Sequence, residues 1–178
     1  MRWIKPLLIG LGGLFAVLLG ISALLPSRVM TSRWVRVAGE TAPPLREVRN
    51  LEGWKDWNSL LSGATDVKII PVPDTGRGGS IEWTDPRGGN NKIEVAGQGD
   101  KGILTYITLG KDRPFESGFS IEKRHADSTQ IVWYILEELR WYPWEKFYGM
   151  MAEDMKAPLM QESLDRLKAK LEGEGIRE

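Results

Sequence analysis

The sequence predicts an α+β domain behind an N-terminal transmembrane helix, with a curved antiparallel sheet of about six to seven strands wrapped around a long C-terminal helix. Three patterns along the 178 residues predict it: a continuous apolar run, a series of alternating segments separated by Gly-, Asp- and Asn-containing turns, and a final segment with helical apolar spacing. We expect residues 1–27 to form a membrane anchor and residues 28–178 to form the folded domain.

The anchor is predicted from the run Leu7 to Leu25, in which Ser22 is the only polar side chain. At about 1.5 Å per residue, a helix of this length roughly matches the apolar thickness of a bilayer. A cleaved signal peptide is the alternative. Because Ile21-Ser22-Ala23 is a poor cleavage site, an uncleaved single-pass anchor is favoured.

The charges that flank the run do not choose an orientation firmly, since Arg2 and Lys5 precede it while Arg28, Arg33 and Arg36 follow it. A short basic tail ahead of a first hydrophobic segment usually stays in the cytoplasm. This favours a domain on the extracytoplasmic side of the membrane.

A stripe of small residues, Gly12, Ala16 and Gly20, lies along one face of the predicted anchor. Such stripes let transmembrane helices approach closely, so weak homodimerisation is one interpretation. General apolar filling of the helix is the simpler alternative.

The sheet is predicted from seven alternating segments, the first of which is Arg28 to Val37. Pro43-Pro44 then suits the first turn of a helix, and Leu45 to Leu61 predicts one or two short helices interrupted at Gly53. Six further strand segments follow as an antiparallel meander: DVKIIPV, SIEWTD, KIEVAG, GILTYITL, FESGFSIEKR and STQIVWYILEEL.

The last helix is predicted over Trp144 to Glu172. Its apolar positions recur at three- and four-residue steps in two series: Phe147, Met151, Met155, Leu159, and then Met160, Leu164, Leu167, Leu171. Pro158 is expected to kink or split this helix, because proline removes one backbone hydrogen bond. The helix is expected to bury itself against the concave face of the sheet.

The order of these motifs resembles the SRPBCC superfamily, the START-like, polyketide cyclase/dehydrase-like proteins with a helix-grip fold. The resemblance rests on "APP" after a first strand, "LEGWKDWNSLL", the hairpins and "MAEDMKAPLMQESLDRLKAKLEG", and it covers Ser32 to Gly173. The chain is most similar to bacterial members with an N-terminal hydrophobic segment. The stretch from Pro44 to Trp54 looks shorter than usual, so the first short helix is expected to be reduced to a turn.

The resemblance implies a cavity between the sheet and the long helix that holds apolar or amphipathic small molecules. The tryptophans of "WKDWN" are i, i+3 neighbours that would plug the open end of the sheet, either as core or as the cavity mouth. The methionines of the last helix suggest either a plastic cavity wall or ordinary packing. The candidate cavity residues are Trp54, Trp57, Trp83, Phe119, Ile121, Trp133, Met151 and Met155.

Several function classes are disfavoured by composition. Lys plus Arg equals Asp plus Glu, at 24 each, which argues against nucleic acid as the main partner. The chain has no cysteine, and its single histidine, His125, is expected in an exposed turn. We therefore expect no metal site, no cofactor and no nucleophilic triad. Glu137 and Glu138 are adjacent on a strand, point to opposite faces and are expected to be solvated rather than a catalytic pair.

Together these observations favour a membrane-anchored domain that binds a hydrophobic small molecule, such as a lipid or an isoprenoid-like compound, without catalysis. One alternative is a cyclase- or dehydratase-type enzyme using Glu or Tyr residues at the same cavity. Another is an interaction module that binds no ligand. A buried carboxylate or tyrosine aimed into the cavity would favour the enzyme.

Overall fold

The computed structural model describes residues 4–125 and 127–174 and has the predicted α+β architecture. The helices are α1 (Ile4–Leu24), α2 (Ala42–Arg49), α3 (Trp54–Trp57) and α4 (Pro143–Glu174). The strands are β1 (Arg28–Ala38), β2 (Thr65–Ile70), β3 (Ser80–Thr84), β4 (Asn90–Gly99), β5 (Gly102–Leu109), β6 (Phe115–His125) and β7 (Ser128–Glu138).

Strands β2 to β7 form an antiparallel meander, and β1 completes the seven-stranded sheet by pairing with β7. Its order is β1-β7-β6-β5-β4-β3-β2, so sequential strands from β2 to β7 are neighbours and β1 pairs with β7. Hairpin connections of two to five residues join most of the strands, as the turn signals predict. His125 is exposed at the end of β6.

Period-two alternation sorts the strand residues between a buried concave face and an outer face. Phe119 and Ile121 on β6 and Trp133 on β7 are each 1–3% exposed, as is Trp83 on β3. Their predicted inward orientation is confirmed. Val132, Tyr134 and Leu136 on the opposite face of β7 are only half-buried, because the outer face of an antiparallel sheet can meet solvent.

The last helix is continuous from Pro143 to Glu174 and runs through Pro158 without a break. Of the two expected effects of Pro158, the split is therefore wrong, and the kink stays a prediction. Pro158 lies on the exposed side of α4, where its ring does not disturb the packing against the sheet.

Only one of the two apolar series of α4 enters the core. Met160, Leu164 and Leu167 are buried, with exposures of 1%, 0% and 0%. The first series is exposed instead: Phe147, Met151, Met155 and Leu159. Toward the domain the first half of α4 presents small buried residues, namely Gly149, Ala152 and Ala157.

The segment after β1 forms a true helix, so the expectation that it is reduced to a turn is wrong. α2 has eight residues, carries Pro43 in its first turn and buries Val48 completely. Asn50 then links it directly to a 3-10 turn by accepting a hydrogen bond from the backbone N–H of Glu52 at 3.2 Å. The one-residue link accounts for the shortness of this stretch.

The N-terminal helix α1 is long and apolar enough to cross a membrane, on the criteria of length and composition. A signal sequence meets the same criteria. Nearly all of its side chains are exposed, and Ser22 is the buried exception. The described part of α1 meets the domain at α4. Trp3 and Arg2 lie outside the described residues.

Candidate ligand-binding site

Four aromatic rings fill the middle of the concave face and define what we call the aromatic cluster: Trp54, Trp57, Phe119 and Trp133. The α3 rings of Trp54 and Trp57 lie 5.2 Å apart and are 1% and 0% exposed. Phe119 meets both edge-on at 5.5 and 5.6 Å and stacks on Trp133 at 5.1 Å. These are favourable aromatic separations. The two tryptophans of "WKDWN" therefore pack as core residues against the concave face of the sheet.

Hydrogen bonds fix the orientation of two of these rings. Trp54 Nε1 donates to the carbonyl of Val48 at 3.0 Å, and Trp133 Nε1 donates to Ser117 Oγ at 2.8 Å. The Trp57 indole N–H is buried and has no acceptor among the described residues.

An open pocket of about 830 Å³ lies at one end of the grip, and we call it the rim pocket. It is bounded by the ends of β5, β6 and β7, the β5–β6 loop and the first half of α4. Its lining combines apolar and charged side chains, including Leu109, Phe115, Leu139, Glu137, Tyr148 and Lys156. A pocket of this volume falls within the usual range of about 300–1,000 Å³ for small-molecule sites.

Glu137 and Lys156 form an ion pair inside the rim pocket, with side chains 17% and 16% exposed. Lys156 Nζ also lies 4.7 Å from the centre of the Phe115 ring, within reach of a cation–π interaction. Glu137 is therefore not a solvated charge, and that prediction is wrong. Glu138 is 71% exposed and pairs with Arg28 at 2.9 Å on the opposite face.

Tyr148 is one of two tyrosines that line the pocket, with Tyr106, and its phenol stays protonated at neutral pH. Burial raises its pKa above the usual value near 10, and the negative charges of Glu137 and Asp112 raise the pKa further. A protonated phenol is both a donor and an acceptor. Tyr148 can therefore orient a polar group of a bound molecule.

The rim pocket lies at the edge of the sheet and takes lining residues from both faces, for example Phe115 and Glu137 from the concave face and Glu116 and Glu138 from the outer face. Phe115 and Phe119 are four residues apart on β6, which corresponds to roughly 13 Å along a strand. Ser117 and Ile135 lie between the two regions and are 0% and 4% exposed. These packed side chains separate the rim pocket from the aromatic cluster, none of whose four rings lines the pocket.

The structure brings together most of the predicted cavity residues but not all of them. Trp54, Trp57, Trp83, Phe119, Ile121 and Trp133 belong to one buried core; that they line a ligand cavity stays a prediction. Met151 and Met155 are 62% and 56% exposed on the outer side of α4. Their assignment to the cavity wall is wrong, because the small residues of α4 occupy the side that faces the domain.

The sequence analysis missed the pocket lining, although one signal was available. Glu137 shares the inward face of β7 with Trp133 and Ile135, as strand alternation dictates. Its partner Lys156 lies on α4, and only the tertiary structure brings the two together. Among the described residues, no group of three or more His, Asp or Glu side chains lies close enough to hold a metal ion.

Comparison with solved structures identifies the fold. A START superfamily protein from Mycobacterium smegmatis is similar at 20% identity and a TM-score of 0.60, over 82% of this chain and 98% of that one. The Zhui aromatase/cyclase from Streptomyces sp. R1128 matches at 12% identity and a TM-score of 0.61, over 82% and 94% of the two chains. A truncated norcoclaurine synthase from Thalictrum flavum matches at 16% identity and a TM-score of 0.58, over 81% and 93%.

No protein-family model and no curated protein matches the sequence. At these identities the likeness establishes the fold and nothing finer. The chain has the START-like helix-grip fold, with an apolar helix at its N-terminus.

Proposed function

We propose that this protein is a membrane-anchored binding domain for a hydrophobic or amphipathic small molecule, of lipid or isoprenoid type, and that it does not transform that molecule. The observation that carries the proposal is the rim pocket. It opens at the end of the concave face beside the first turns of α4, where α1 joins the domain. A membrane-derived ligand would have a short path to such an opening.

The lining of the rim pocket suits an amphipathic ligand. Leu109, Phe115 and Leu139 offer apolar surface, and Tyr148 and the Glu137–Lys156 pair offer hydrogen bonds to a polar head group. We keep the domain on the extracytoplasmic side, on the ground of the short basic tail that precedes the anchor.

The first experiment tests binding with the full chain in detergent micelles. Apolar molecules that copurify are identified by mass spectrometry, and fatty acids, phospholipids and quinones are titrated below their aggregation limits while tryptophan emission is followed. We expect a saturable change. Burial of a few hundred Å² of apolar surface, at about 25 cal/mol per Å² before ordering costs, supports affinities of roughly micromolar order.

Two matched substitutions locate the site. Leu109→Trp fills the rim pocket and is expected to raise the Kd in the titrations about tenfold or more, a loss of roughly 1.4 kcal/mol of binding free energy. Ile70→Trp adds the same bulk at a 56% exposed position on the edge strand β2 and is expected to leave binding unchanged. Flat titrations together with no copurified ligand would favour the ligand-free interaction module.

The second candidate function is an enzyme of cyclase or dehydratase type. A specific observation favours it, since Glu137 is largely buried and lies with Tyr148 in the same pocket. Any bound molecule should therefore be recovered after incubation, and its mass should be determined by mass spectrometry. Recovery of a chemically unchanged molecule would support the binding domain. Loss of water or formation of a ring, if either disappears in Glu137→Gln, would establish the enzyme.

A further inference from the structure

The end of α1 is fixed to the start of α4 by a side-chain hydrogen bond inside the apolar run. Ser22 Oγ donates to the carbonyl of Trp141 at 2.9 Å. Ser22 lies three residues before Leu25, or about 4.5 Å along a helix. The backbone of Trp141 is therefore level with the apolar part of the anchor.

A buried lysine strengthens the same junction. Lys146 is 3% exposed, and its Nζ donates to the carbonyls of Leu25 and Pro26 and to Ser27 Oγ at 3.2, 2.9 and 2.7 Å. Lys146 thus ties the segment that directly follows α1 to the first turn of α4.

Three aromatic residues project from this junction, and we call them the aromatic corner: Trp141, Tyr142 and Trp144. Tyr142 stacks on Trp144 at 5.0 Å and lies 4.9 Å from Trp141. The two tryptophans are 66% and 62% exposed. Tryptophan and tyrosine are enriched at membrane–water interfaces because an apolar ring and a polar atom suit both sides.

The exposed face of α4 changes character along its length. From Trp144 to Leu159 it carries the apolar stripe Trp144, Phe147, Tyr148, Met151, Met155 and Leu159. Glu162 and Arg166 continue the same face as an exposed ion pair with a 2.6 Å separation. The apolar surface is thus confined to the half of α4 that lies next to the anchor.

We infer that the aromatic corner and the start of this stripe, through Met151, form a second membrane contact beside α1. This contact holds the domain against the bilayer, so that the rim pocket opens among the lipid head groups. The inference rests on the proposed function, because it requires α1 to span the membrane. Continuity with the anchor selects the bilayer over a second copy of the chain as the occupant of this surface.

The absence of cysteine from the sequence provides a clean test in the full chain. Single cysteines carrying a spin label are placed at Trp144→Cys and Met151→Cys, with Glu162→Cys as the control on the same helix and Leu14→Cys as a reporter for the anchor. The proteins are reconstituted into phosphatidylcholine–phosphatidylglycerol vesicles. Label accessibility is then measured for lipid-soluble oxygen and for a water-soluble nickel chelate.

We expect the ratio of oxygen to nickel accessibility at positions 144 and 151 to exceed that at position 162 several-fold and to approach that at position 14. If position 14 is lipid-exposed while positions 144 and 151 behave like position 162, the second contact is refuted and the anchor stands. If position 14 itself is open to nickel, the anchor fails and the inference fails with it. Shielding of position 144 from both reagents, with spin–spin broadening, would assign the surface to a second copy.

Discussion

Individual buried hydrogen bonds are important for the stability of this core, because its large apolar rings exclude water from the polar groups among them. Trp133 has its indole N–H deep in the domain, and Ser117 Oγ accepts it at 2.8 Å. Ser117 is itself 0% exposed and lies between the aromatic cluster and the rim pocket. An unpaired buried donor loses its hydration without compensation, so this serine does more than fill space.

We predict that Ser117→Ala lowers the free energy of unfolding by about 1–3 kcal/mol, because the Trp133 N–H loses its acceptor in a dry environment. Urea unfolding in micelles measures the change. Ser120→Ala is the control on the outer face of β6 and should stay within about 0.5 kcal/mol. Equal effects of the two substitutions would show that Trp133 finds another acceptor.

At the scale of elements, the predictions succeeded where period and turn chemistry agree. The seven strands lie where alternation and turn residues predicted them, and the inward face of β7 follows from the parity of Trp133 alone. α4 shows what such patterns leave open. Its two apolar series both satisfy helical spacing, and sequence spacing does not say which one meets the sheet.

The candidate site was harder to predict than the fold, for a related reason. The lining of the rim pocket comes from the ends of three strands, β5, β6 and β7, from the loop between β5 and β6, and from α4. Its ion pair joins Glu137 to Lys156. The large aromatic residues led to a predicted site in the middle of the concave face, where these residues pack against one another. The methionines satisfied the expected spacing, but Gly149 and Ala152 occupy the side toward the domain because small residues allow close approach.

Pro158 supplies the prediction for α4. The helix passes through it without its hydrogen bond to the carbonyl of Asp154, and Pro158 itself is exposed. Pro158→Ala should therefore restore that bond and raise the free energy of unfolding by about 1–3 kcal/mol. Hydrogen exchange near Asp154 should slow at the same time.

Glu162→Ala is the control for Pro158, since it removes an exposed i, i+4 pair and should change stability by no more than about 0.5 kcal/mol. Unchanged stability and unchanged exchange in Pro158→Ala would mean that the flanking turns already compensate for the missing bond.

At the scale of the whole molecule, the packing of α1 against the folded domain determines which faces of α1 remain free to contact another helix in a membrane. Ser22 marks the side that meets the domain, and the neighbouring Leu18 and Leu19 are half-buried. At roughly 100° per residue, the stripe of Gly12, Ala16 and Gly20 is centred about 120° around the helix from Ser22. The folded domain therefore leaves this stripe uncovered.

The stripe leads to a prediction of weak self-association within the bilayer. A Cβ atom at Gly12 or Gly20 would meet no other atom within 4 Å, so these positions offer open surface for a second helix. Small residues four apart let helix backbones approach and gain packing contacts that lipid tails do not offer.

Energy transfer between donor- and acceptor-labelled copies in vesicles tests this self-association. Its efficiency should exceed the level expected from random encounters and should decline as lipid is added. The double substitution Gly12→Ile and Gly20→Ile should bring it to the random level, whereas Gly10→Ile, on another face of α1, should preserve it. Equal transfer in all three proteins would mean that the small residues are only apolar filling.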